Sequence, residues 1–223
     1  MGRSAIFAAS AAVLLCAAGA QAGLLVNPFL ETGADQDSAD GWTLLEPNVD
    51  DTGSPVDTAS FQGFANHEVG GARGLWFRSF EGGNGPGSPA TVSATLYQDL
   101  PGTPGQTYTL SAWFKEEANF IGQNSLFIEF LGAGDSLISS AVLDVDAVQI
   151  NDSTWRQFMV NGVAPMGTVT VRVGANMFDG MFSTTPGAQS TFVDDFELSA
   201  IPAPAGVVVA GVGLTGLAAR RRR

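Results

Sequence analysis

Hydrophobic and polar positions alternate with period two along much of the chain, the side-chain period of a half-buried strand. Thr107 to Lys115 shows it most clearly. Tyr108, Leu110, Ala112 and Phe114 fall on one face, with Thr109, Ser111, Trp113 and Lys115 on the other. Thr168 to Val173 repeats the pattern, opposing Val169, Val171 and Val173 to Thr168, Thr170 and Arg172. Further strands are predicted over Leu24–Asn27, Leu75–Phe80, Val92–Leu100, Ser125–Leu131, Leu137–Leu143, Trp155–Asn161 and Thr191–Ser199. Pro101-Gly102, Pro104-Gly105, Gly132 to Asp135, Asn151-Asp152 and Pro186-Gly187 supply turns between them. No amphipathic helix of about ten or more residues interrupts the series. Nine to eleven short strands in one unit predict an all-β fold, an antiparallel β-sandwich or jelly roll.

The two ends break this pattern. Residues 1–22 carry Arg3, an apolar stretch from Ala5 to Ala18 and the small-x-small sequence Ala20-Gln21-Ala22, the three parts of a signal peptide; a buried N-terminal helix is the alternative. The tail 201–223 runs from Pro202 and Pro204 through an apolar, Gly-rich stretch to Arg220–Arg223. Counted from Ile201 it is a marginal transmembrane helix, with the arginines held cytoplasmic. Three segments follow: 1–22, a body at 23–200, and 201–223.

The proline pair, short apolar helix and terminal arginine cluster resemble the PEP-CTERM sorting signal, with Ala203 where that family has Glu. The resemblance implies an exosortase-type processing enzyme as partner and the inner membrane during export. The protein would be transiently membrane-anchored through its C-terminus and end at the cell surface, outer envelope or extracellular matrix of a bacterium. A plain C-terminal membrane anchor is the alternative.

Charge narrows the partners of the body. All 22 Asp and Glu lie between Glu31 and Glu197, against five Lys and Arg there, a net −17. Such a surface disfavours nucleic acid and anionic membrane and favours cations. Cys16 lies in the leader, so the body has neither a disulfide nor a thiolate metal site, and one histidine, His67, cannot build a His-rich centre.

A second resemblance covers the body. Leu25-Val-Asn-Pro-Phe-Leu-Glu-Thr-Gly33 with Gly41-Trp42, then Gln98-Asp-Leu, Gly105 to Lys115, Ser153-Thr-Trp-Arg156 and Phe192 to Leu198 resemble, in order, the motifs of family 4/9-type carbohydrate-binding modules. The resemblance implies a galactose-binding-like jelly roll and a structural calcium, Ca2+, near the closing strand and the first loop; Glu31 and Asp194 are the matching ligands. Strict alternation also puts Asp194 on a face with Phe192, Phe196 and Leu198, where a carboxylate is costly unless a cation or several donors compensate it. A bulge turning Asp194 to solvent, or an arginine partner, is the alternative. Asp35, Asp37 and Asp40 form an acidic loop that fails the EF-hand template and is read as solvated, or as contributing to calcium.

Trp113 beside Thr109, Ser111 and Lys115 offers a flat apolar surface among hydrogen-bonding groups, suited to a polysaccharide or surface glycan. Core packing is the alternative for Trp113, as for Trp42, Trp76 and Trp155. His67 reads as polar loop surface. The functional expectation is an exported, non-catalytic glycan-binding protein. A structural matrix or surface-coat protein is the alternative, and a secreted hydrolase rests only on acid pairs such as Asp144/Asp146 and Glu116/Glu117, whose spacing does not establish facing carboxylates.

Overall fold

The computed structural model describes residues 23–202, so the leader and all but the start of the tail lie outside the described residues. The body folds as an antiparallel sandwich of two five-stranded sheets. Its strands are β1 (Thr43–Leu45), β2 (Ala59–Gln62), β3 (Gly74–Phe77), β4 (Val92–Pro101), β5 (Thr107–Glu116), β6 (Gln123–Leu131), β7 (Leu137–Asp144), β8 (Arg156–Val163), β9 (Thr170–Gly180) and β10 (Thr191–Ile201). One sheet has the order β1-β4-β9-β6-β7 and the other β2-β3-β10-β5-β8. Short 3-10 turns are the only helical elements among the described residues, and none is long and apolar enough to cross a membrane.

Alternation along the long strands fills the space between the sheets. Tyr108, Leu110, Ala112 and Phe114 of β5, with Leu198 and Ala200 of the neighbouring β10, face Leu126, Ile128 and Phe130 of β6 and Val171, Val173, Ala175 and Met177 of β9. At roughly 25 cal/mol per Å² of apolar area removed from water, this interior is the main source of stability.

The structure departs from the sequence pattern in four places. Residues 24–27 are not a strand. The Val26 N–H donates to Gln98 Oε1 at 2.8 Å and the Val26 carbonyl accepts from Gln98 Nε2 at 3.0 Å, so one side chain replaces a ladder. β9 begins at Thr170, leaving Val169 outside it, and runs on to Gly180 through a Gly-Ala-Asn stretch that lacks strand propensity. Gly174 is required there, since a Cβ would collide with the Leu96 carbonyl of the adjoining strand. Ile201 pairs with Thr107, placing it in the body.

The fourth departure bears on the site. A bulge in β10 shifts the register against β5 between Asp194 and Glu197, with Asp195 at φ 50°. An inserted residue reverses side-chain alternation beyond it. Phe192 therefore pairs beside Lys115 on the outer face, while Phe196 and Leu198 join the core, correcting the expectation that all three share a face.

Candidate functional site

The first loop is built by the Asn-Pro-Phe-Leu-Glu segment. Leu30 N–H donates to the Asn27 carbonyl at 3.1 Å, and the Asn27 side chain bonds both backbone groups of Thr32. Trp42 Nε1 donates to the Asn27 carbonyl at 3.0 Å, and the indole packs on Phe196 with ring centroids 4.7 Å apart. Trp42 is thus a core residue. The turn holds Leu30 at φ 56°, fully buried, and the chain leaving it presents Glu31 inward. Phe196 N–H donates to the Pro28 carbonyl at 3.0 Å, which ties this turn to the β10 bulge.

Asp194 lies on the other side of that tie. It is fully buried despite the bulge, with no arginine partner among the described residues. Oδ2 accepts from His67 N–H at 2.9 Å and Oδ1 from Asp195 N–H at 2.8 Å. Burial dominates and pushes the carboxyl up to about 8; the two amides oppose this, and Asp195 and Glu31 add to it. Glu31 Oε2 accepts from Ala72 N–H, whereas Glu31 Oε1 and Asn66 Oδ1 are buried with no partner. Both orphaned oxygens crowd the position a Cβ on Gly71 would take, and Asp194 Oδ2 and the Ala65 carbonyl crowd that of Gly74. The Glu31 and Asn66 oxygens thus meet at Gly71, and the Asp194 and Ala65 oxygens at Gly74, three residues on. No three His, Cys, Asp or Glu side chains converge among the described residues.

The acidic loop stands apart. Asp35 Oδ1 accepts from Asp37 N–H and Ser38 Oγ, and Arg73 binds the Leu30, Asp35 and Ser38 carbonyls. It is a solvated turn pinned by one arginine.

On the outer face of the second sheet, Trp113 is half-buried. One side of its ring stacks on His67, with centroids 4.2 Å apart and 18° between planes. His67 Nδ1 lies 2.5 Å from Asp195 Oδ2, so the bulge that buries Asp194 also turns Asp195 outward to hold the imidazole. The remainder of Trp113 borders a cleft of about 370 Å³, lined also by Phe29, Gln157, Asp195 and Glu197. Of the other predicted sugar-face residues, Ser111 is buried and accepts from Gln157 Nε2 at 3.3 Å, and Thr109 is half-buried further along β5. Lys115 Nζ sits 4.2 Å from the Phe192 ring and 4.9 Å from Trp155, and its burial lowers its pKa. Neither Thr109 nor Lys115 lines the cleft.

The aromatic row continues past Trp113. Trp155 meets His67 edge-on, Phe192 lies beyond it, and Phe64, Trp76 and Phe80 follow with Arg78 over the last two rings. Phe64, Trp76, Phe80 and Phe192 wall a second cleft of about 420 Å³, which Glu117 also lines. Sequence reasoning missed His67, Phe29, Gln157, Asp195 and Glu197. The adjacent Asp194-Asp195 pair, which a straight strand cannot place on one face, was the available signal.

Of the acids that suggested a hydrolase, none lines the Trp113 cleft. Glu116 is fully buried, and Glu117 accepts from Ser190 N–H at 2.8 Å.

No known family profile matches the chain, nor does any curated protein. Solved structures do match in fold. A structure described as family 16 carbohydrate binding module-2 is 19% identical with a TM-score of 0.51, over 79% of this chain and 99% of that one. A cyclase from Fischerella sp. TAU is 16% identical with a TM-score of 0.55, over 83% and 99%. The enzymatically active domain of bacteriophage CBA120 tailspike protein 4 is 13% identical with a TM-score of 0.52, and the match spans 79% of this chain but only 22% of the tailspike. The body has the jelly-roll sandwich that carbohydrate-binding modules share with domains of some enzymes.

Proposed function

We propose that the protein is an exported, non-catalytic glycan-binding sandwich of the cell surface or matrix, processed through its tail by an exosortase-type enzyme. The carrying observation is the open cleft in which Trp113, backed by His67, stands among Gln157, Asp195 and Glu197. Sugar rings stack an apolar C–H face on an aromatic ring and direct hydroxyls to polar neighbours, and this cleft supplies both. Two carboxylates at its wall favour neutral polysaccharide over uronic-acid or sulfated chains. The fold shared with a carbohydrate-binding module adds support.

A calcium ion belongs to the same reading. Glu31 and Asp194 would hold it, with Asn66 and the Ala65 carbonyl as the nearest further oxygens. Bound there, it would supply positive charge to a buried carboxylate and fix the first loop against β10.

The test is retention of the purified protein on a panel of neutral and acidic polysaccharides, with Trp113→Ala as the variant. Neutral polysaccharide should retain the wild type and not the variant. Stability should fall by only about 1 kcal/mol, the scale of one aromatic pair. A wild type that binds no glycan sends the protein to a purely structural role, and a variant that loses about 3–5 kcal/mol sends Trp113 to the core.

A further inference from the structure

A second cluster of oxygens closes the N-terminal end of β10. Glu116 ends β5, Asn124 lies at the start of β6, Thr191 opens β10, and Asp146 follows β7, so the cluster joins the two sheets. Asn124 Nδ2 donates to Glu116 Oε1 at 2.7 Å and to Thr191 Oγ1 at 2.9 Å. Asn124 N–H donates to Asp146 Oδ2 at 2.5 Å. Asn124 thus bridges the Glu116 and Asp146 carboxyls. Glu116 is 0% and Asn124 1% exposed. Even so, Glu116 Oε2 and Asn124 Oδ1 have no partner, nor does Oε1 of nearby Gln149, whose amide is tied to the Phe114 carbonyl. Neither carboxylate takes part in an ion pair among the described residues.

Two carboxylates held by one asparagine, with Glu116 fully buried, Asp146 half-buried and amide oxygens orphaned beside them, are costly unless a proton or a cation is shared between them. Burial raises the pKa of both acids, and each is further raised by Asp144 nearby.

We propose that Glu116 and Asp146, with the Asn124 amide oxygen, form a second divalent-cation site of calcium type that staples the two sheets at this end. The donors are all hard oxygens with only two carboxylates, a set that suits calcium and gives zinc none of the nitrogen or sulfur it favours. The site shares no ligand with Glu31 and Asp194, so either can fail without the other.

The experiment is calorimetric titration of Ca2+ into chelator-treated purified protein, with melting curves, for wild type, Glu116→Gln, Asp194→Asn and the double variant. Glu116→Gln keeps the acceptor for Asn124 and gives Asp146 a donor, so its fold should persist, checked by circular dichroism. Asp194→Asn should still take up one ion and melt higher with calcium, and adding Glu116→Gln should abolish both responses. Unchanged stoichiometry in Glu116→Gln would overturn the site. So would an Asp194→Asn protein blind to calcium, since a pair that merely shares a proton responds to pH and not to the ion. If Glu116→Gln lowers calcium uptake and Asp194→Asn leaves it unchanged, this site stands and the Glu31–Asp194 site falls.

Discussion

Removing calcium should make the protein less stable as pH rises, and Asp194 sets much of the slope. In the metal-free fold its carboxyl is pushed up to about 8 by burial, against about 4 in an unfolded chain. Between those values the unfolded chain has released its proton and the native state still holds it. The native state therefore binds more protons, and stability falls with pH across that window. It is fully present below about pH 4 and lost by about pH 8. At roughly 1.4 kcal/mol per pH unit the ceiling is about 5 kcal/mol, and water reaching the site would reduce it. For a domain of this size, each kcal/mol is worth about 2–4 °C. Calorimetric melting in EGTA at pH 5 to 9 should show a decline on the order of 10 °C. With millimolar calcium the profile should flatten, because a bound ion stabilises the carboxylate. Asp194→Asn should lose part of the EGTA slope, leaving the share of Glu116 and Asp146. It should also melt lower at pH 5, because an amide cannot accept from both His67 N–H and Asp195 N–H. A metal-free melting temperature that rises from pH 5 to 8, or an Asp194→Asn slope equal to that of wild type, would refute the reasoning.

Trp42→Ala should cost about 3–5 kcal/mol, read as a fall in denaturation midpoint, since it removes a buried ring packed on Phe196 and the bond that closes the first turn. A loss under 1 kcal/mol would show that the turn stands without it. Intact-mass analysis of surface material should find the N-terminus near Gly23 and the segment after Pro204 removed or membrane-held; a soluble species running from Met1 to Arg223 would contradict export.

Much of the fold was legible because long strands that face one core must alternate. Thr107–Lys115 and Leu137–Leu143 correspond within a residue to β5 and β7. The edge strands β1 and β2 were not, because three or four residues carry too little periodicity. Leu24–Asn27 has the apolar run of a short strand, yet a glutamine distant in sequence satisfies the Val26 backbone. In the site, Glu31 and Asp194 were legible through motif order, and Trp113 through the polarity of its neighbours on β5. His67 was not, since its stacking on Trp113 and its bond to Asp195 join positions far apart in the chain. Nor was the inversion of Phe192, which depends on one inserted residue.

The place of β10 in its sheet also decides how the protein carries load. Flanked by β3 and β5, it is an inner strand, and its last residue, Ile201, pairs with Thr107. A pull on the C-terminal side of Ile201 acts along the strand axis, so the hydrogen bonds of the ladder resist together in shear. The bulge divides that ladder in two. Glu197 to Ile201 form one block against Ser111 to Thr107, and Thr191 to Asp194 another against Glu116 to Trp113. Tension would slide the first block before it reached the second, and Asp194 sits at the seam between them.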